Sequence, residues 1–125
     1  MVPSRFMLEF YKDINGNEPV REGLRNNLGP EDRRSIGAAL RTILTGAGDQ
    51  CLRDQLRRPL GERLFEFRLR EEELLARVFC HAYGERLILL LGAYDKGKDP
   101  SERRQNQEIK VARGRLKEWK TRQQT

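Results

Sequence analysis

The chain has two cysteines and one histidine in 125 residues. Cys51 and Cys80 form no CxxC pair, and His81 alone adds too few ligands for a structural zinc site. No apolar run approaches the roughly 18 residues that cross a bilayer. The N-terminal stretch MVPSRFMLEFYKD has a polar or charged residue every few positions and lacks the apolar core of a signal peptide. GxSxG, a Walker loop, HExxH and a Rossmann fingerprint are all missing, so serine or cysteine nucleophile chemistry has no support. No repeat and no low-complexity segment is present. The expectation is a soluble cytoplasmic protein of one domain, residues 1–125, with no membrane partner, no metal and no cofactor.

What the chain does have is charge, unevenly placed. Hydrophobic content is 37% and charged content 35%, with a formal net charge of +6. Residues 1–50 hold 7 basic and 7 acidic side chains, so the whole excess lies in 51–125. It is concentrated in RDQLRRPLGERLFEFRLR and in the tail after Asp95, on either side of a slightly acidic stretch, 71–94. Two basic segments flanking a strand pair fit a polyanion partner. A solvated surface with no partner fits them as well.

The hydrophobic pattern gives the elements. RFMLEFY alternates as a first strand, with Phe6, Leu8 and Phe10 on one face and Met7 and Tyr11 on the other. Asn17 is placed to cap a helix carrying Val20, Leu24 and Leu28. Gly29-Pro30 ends that helix and opens another, with a stripe of Ile36, Ala39, Leu40, Ile43 and Leu44. Residues 49–62, arginine-rich with Pro59 and Gly61 as breakers, read as a loop. The period then becomes two. LFEFRLR and LLARVFCHAY are strands around a Glu-rich turn. RLILLLGAY, apolar on both faces, is an interior strand, and a tail helix follows with Ile109, Ala112, Leu116 and Trp119 as its stripe. The order β-α-α-β-β-β-α describes an α+β domain with a mostly antiparallel sheet.

A two-residue turn at Gly84-Glu85 sets a register for the second hairpin. His81 then pairs with Ile88, Phe79 with Leu90 and Arg77 with Gly92. Arg77 and Tyr94 share a face, and Arg68 of the preceding strand stands near the level of Arg77. Lys96 and Lys98 lie just past the strand end. Arginine offers a planar fork to phosphate, tyrosine stacks on bases or donates a proton, and lysine holds phosphate. The plainer reading is that Arg68 and Arg77 pair with Glu66 or with Glu71–Glu73. A one-residue slip would send these side chains to opposite faces. His81 is the only histidine, but its place along the strand fits a satisfied, partly buried residue better than a general base.

These stretches together resemble the HigB-like branch of the RelE/ParE toxin superfamily, including phage-derived relatives. The similarity runs through GNEPVREGLRNNL, LRRPLGERLFEFRLR, ARVFC, LILLLGAYDKGKDP and EIKVARGRLKEW. It implies a RelE-like microbial RNase-type fold with a twisted antiparallel sheet. It also implies a toxin, an mRNA interferase that cuts message in the ribosome without a metal, held inactive by a HigA-like helix-turn-helix antitoxin. The 2′-OH would attack the adjacent phosphorus and the 5′-oxygen would leave. Carried onto this chain, Arg77 clamps phosphate, Arg68 is a second cation, and Tyr94, Lys96 and Lys98 form the cluster after the strand. Arg57, Arg58 and Arg63 take the place of RNA-facing basic residues. Some relatives carry a histidine before PL where arginines stand here. Three alternatives remain open: a ParE-like gyrase poison of the same fold, a non-catalytic nucleic-acid-binding module using the basic tail helix from Arg103 to Arg122, and a chain with a degraded site kept only for interaction with its antitoxin.

Overall fold

A computed structural model of the chain describes residues 7–45, 57–71, 74–83 and 87–123, and of residues 7, 39–45, 57, 58, 69–71, 74 and 87 the backbone only. The elements are β1 (Met7–Phe10), α1 (Pro19–Asn27), α2 (Pro30–Thr45), β2 (Arg57–Pro59), β3 (Leu64–Glu71), β4 (Leu74–Tyr83), β5 (Leu87–Asp95) and α3 (Glu102–Gln123). They form an α+β fold around a five-stranded sheet of order β1-β5-β4-β3-β2. β1 runs parallel to β5, and every other pair is antiparallel.

Strand alternation divides the apolar residues between two cores. Phe67, Ala76, Val78, Cys80, Ala82, Ile88 and Leu90 face Val20 of α1 and Ile36 of α2. Leu64, Phe79, Leu89, Leu91 and Tyr94 face Ala112, Leu116 and Trp119 of α3. Each leucine or phenylalanine so buried contributes roughly 1.5–3 kcal/mol of transfer free energy. β5 supplies both cores from successive residues, Ile88 and Leu90 to one and Leu89 and Leu91 to the other, which is why this strand is apolar on both faces.

Three local expectations are corrected. The segment read as a loop contains β2, which pairs Arg57 with Phe67 and Pro59 with Phe65. At the sheet edge a proline's missing N–H costs no ladder bond. Residues 49–56 of that expected loop, and the outer positions of the α2 stripe, lie outside the description. Asn17 is not the cap of α1; Glu18 holds that position, without a side-chain hydrogen bond. The carboxylate of Asp13 instead accepts from the amides of Asn15 and Asn17, each at 2.9 Å.

The third correction is the β4–β5 register. Pairing begins at Tyr83↔Leu87 rather than at a two-residue turn, so His81 faces Leu89 instead of Ile88. The register shifts again between Phe79 and Cys80, where Leu91 and Gly92 together oppose Phe79. This β-bulge cancels the first slip in face, and Arg77 pairs directly with Tyr94. Phe79, not Arg77, occupies the space over Gly92. A Cβ built on Gly92 would lie 3.2 Å from Phe79 Cδ2.

α3 is fastened along its length. Ser101 caps it, its Oγ accepting from the amide of Arg104 at 3.1 Å. Arg115 donates to the carbonyl of Leu91 at 2.8 Å. Near the other end Tyr11 donates to Glu118 Oε1 at 2.6 Å, and Arg122 bonds both Glu118 and the carbonyl of Lys12.

Candidate functional site

Arg68 of β3 and Arg77 of β4 are direct cross-strand partners, at one level as the sequence predicts. Both reach the carboxylate of Glu66, which is completely buried. Arg68 Nε lies 3.4 Å and Arg77 Nε 3.5 Å from Oε1. Gln105 of α3 donates to Oε2 at 2.9 Å. The plainer of the two sequence readings, pairing with Glu66, is therefore present. It does not neutralise the group. Two guanidiniums share one carboxylate, leaving one positive charge, and Arg68 is half exposed while Arg77 retains 14% exposure. A buried carboxylate is tolerable only with such partners.

Tyr94 sits opposite Arg77, but not as an open stacking platform. Its residue is 6% exposed. The ring stacks on Phe79 at 6.2 Å between centroids and 11° between planes. The Arg104 guanidinium lies 5.1 Å over the ring. Burial, and then the charge of Glu66, push its phenol above the ordinary range, so it keeps its proton at neutral pH. A phenol so protonated has a proton to donate and cannot act as a base.

Two buried side-chain polar atoms find no hydrogen-bond partner among the described residues: Arg77 Nε and the Tyr94 hydroxyl. The Arg77–Glu66 approach is an ion pair short of hydrogen-bond geometry. Orphaned donors on directly opposed residues are uncommon in a native sheet.

The remaining expected residues divide. Lys96 follows β5, its amide donating to the carbonyl of Leu75 at 2.7 Å, and it is partly buried at the strand end. Lys98 turns toward the helical hairpin, Nζ donating to the carbonyl of Asn27 at 3.3 Å. Arg63 stands apart from the group. Its Nε donates to the carbonyl of Ala82 at 2.9 Å, five residues along β4 from Arg77, or roughly 16 Å at the usual strand rise. Its backbone is left-handed, with φ 59°. Arg57 and Arg58 pair by backbone with Phe67 and Glu66 on the far side of β3.

His81 is the satisfied core histidine that its position predicts. It is 3% exposed, with Nδ1 3.2 Å from the carbonyl of Arg63 and Trp119 edge-on at 5.9 Å. Burial, and then Lys120, hold its pKa below the ordinary value. Cys80 is buried in the opposite core, and burial raises its thiol far above neutrality. Among the described residues no three His, Cys, Asp or Glu side chains form a metal-binding group, and no helix is long and apolar enough to cross a membrane.

Two contributors escaped the sequence reading, Gln105 and Arg104. Gln105 lies four residues before Ile109 on the inward stripe of α3, so a polar residue in an apolar stripe was the available signal. Arg104 is oriented by Glu108 at 2.9 Å and by Asp99 at 3.8 Å.

No curated protein matches the chain. A family model does, across residues 26–117, from the end of α1 to the last turns of α3 and through every residue of the Glu66 group. The chain belongs to the phage-derived Gp49-like protein family (DUF891), a family related to the RelE/HigB-like toxins.

Proposed function

We propose that this protein is the HigB-like toxin of a type II toxin–antitoxin pair, an endoribonuclease that cuts mRNA on the ribosome in the cytoplasm and is silenced by a HigA-like helix-turn-helix antitoxin. The observation that carries the reading is the pairing of Arg77 with Tyr94, with an orphaned donor on each, beside a carboxylate that two arginines share. The family membership supports it at the level of a toxin.

In this reading the 2′-oxygen attacks phosphorus as its proton passes to solvent water, the P–O5′ bond breaks, and a cyclic phosphate and a 5′-hydroxyl result. Arg77 meets the charge that grows on the non-bridging oxygens, where a fixed donor is worth most. Arg68 and Lys96 add positive potential. Tyr94, protonated at neutral pH, offers an O–H toward the leaving oxygen and does not accept the 2′ proton. Glu66, fixed between two guanidiniums, positions Arg77. The exposed side of α3 adds Arg103, Lys110, Arg113 and Lys117, a basic stripe at helical spacing that favours an RNA backbone.

Primer extension on cellular mRNA after brief induction tests the proposal. New 5′ ends inside reading frames, in codon phase, are expected. Growth arrest without new ends, together with gyrase-linked DNA breaks, would replace it by the gyrase-poison reading.

A further inference from the structure

A cleft of about 220 Å³ opens beside Tyr94, where β1 has ended and, among the described residues, no strand pairs with the last residues of β5 on that side. Its walls are of two kinds. Leu24 and Leu28 of α1, Ile36 of α2, and Ala76 and Ala93 of the sheet supply apolar surface. Asn27, Asp95, Lys98 and Arg104 supply polar edges, and Tyr94, the partner of Arg77 across β4 and β5, also lines the cleft.

We infer that this cleft receives one nucleobase of the RNA, that of a nucleotide flanking the scissile phosphate. The inference rests on RNA as the substrate and adds where a base is held. The size fits a single planar heterocycle and lies below the roughly 300–1,000 Å³ of pockets for drug-sized ligands. The division of the walls also fits. A base has two apolar faces and a polar rim, so the leucines and alanines meet the faces while Asn27 reads the edge. Arg104 lies 5.1 Å over the Tyr94 ring and is held there by Glu108 and Asp99, and a guanidinium so placed at the cleft edge is available to stack on a base. Lys98, whose ammonium bonds the carbonyl of Asn27, is an exposed cation at the rim for the adjoining phosphate. Asp95 is occupied locally, its Oδ1 accepting from the Gly97 amide at 2.8 Å, and so repels phosphate less than a free carboxylate would. An apolar peptide side chain would leave this polar edge unmatched.

The test is amide chemical-shift titration of the isotope-labelled protein with the four ribonucleoside 5′-monophosphates and with ribose 5-phosphate. At least one nucleotide should bind about tenfold more tightly than ribose 5-phosphate, the equivalent of one good base contact. The shifts should centre on Gly23, Asn27, Ala93 and Asp95. Asn27→Phe, at an exposed helix end that leaves the core untouched, should plug the mouth and reduce nucleotide binding to the ribose 5-phosphate level. Ala93→Leu should do the same from within. Equal affinity for nucleotides and ribose 5-phosphate, or shifts centred elsewhere, overturns the inference even if the protein cuts RNA. Nucleotide binding in the cleft of a protein that cuts nothing would leave the base site standing and remove the nuclease.

Discussion

Arg77 and Tyr94 stand opposite one another across β4 and β5 because Leu91 is an extra residue in β5. The bulge places Leu91 and Gly92 together against Phe79 and turns the strand so that the next residues regain the face they would otherwise lose. Bulges of this kind often lie beside active sites, where they re-aim a side chain.

Gly92 lies in close approach to Phe79. A Cβ there would lie 3.2 Å from Phe79 Cδ2, so the ring must yield a few tenths of an ångström. Gly92→Ala should be near neutral, because the gain of roughly 0.5–1 kcal/mol from a less flexible unfolded chain offsets that crowding. Gly92→Val should cost about 1–3 kcal/mol by overpacking. In urea unfolding the valine's cost should shrink when Phe79 is also changed to Leu, since the two sites are in contact. An equal cost on both backgrounds would show that Phe79 is not the obstacle.

Glu66 and its arginines should respond unequally. Glu66→Ala leaves Arg77, at 14% exposure, beside an empty position and should cost about 3–5 kcal/mol, the penalty of breaking a buried pair. Arg68 is half exposed and loses little on solvation, so Arg68→Ala should cost under about 1 kcal/mol. Glu66→Gln, which keeps an acceptor for Gln105, should fall between them. Denaturant midpoints of the three variants decide the order.

Stability should fall in alkali through Tyr11. Its phenol is pushed up to about 12 by burial first and then by Glu118, against an ordinary 10.0. The folded chain holds this proton more tightly than the unfolded one. The contribution is therefore complete below pH 10 and lost as the pH rises toward 12. Tyr11→Phe should lessen the steepness of that loss, although Tyr94, raised in the same direction, will leave a residue of it. A thermal midpoint followed from pH 9 to 12 reports both.

Much of this was legible in the sequence, and the exceptions have physical causes. Alternation over LLARVFCHAY predicts β4 residue for residue, and the Val20–Leu24–Leu28 and Ala112–Leu116–Trp119 stripes predict which helix faces are buried. Those signals come from burial, which composition records directly. The placement of Arg77 with Arg68 and Tyr94 on one face was also predicted, but from a register that the structure replaces. Two one-residue shifts add to two, which restores the face, and no residue type announces a bulge at Leu91. What the sequence concealed is coverage. Period-two spacing reports that Tyr94 shares a face with Arg77, but not that Arg104 and Gln105 of a helix that follows lie over that face. Glu66 looked like one of several possible partners because burial of a carboxylate depends on contacts distant in the chain.

The most direct test of the central claim is the rate of RNA cleavage by Arg77→Ala and Arg77→Lys beside the wild type, with circular dichroism and urea midpoints on the same preparations. The account predicts a folded Arg77→Ala protein that cuts about 10²–10³-fold more slowly, the usual cost of one fixed donor to a developing oxyanion, and a partial recovery with lysine. A folded Arg77→Ala protein that cuts at the wild-type rate would contradict it, and would reduce Arg77 to a structural partner of Glu66.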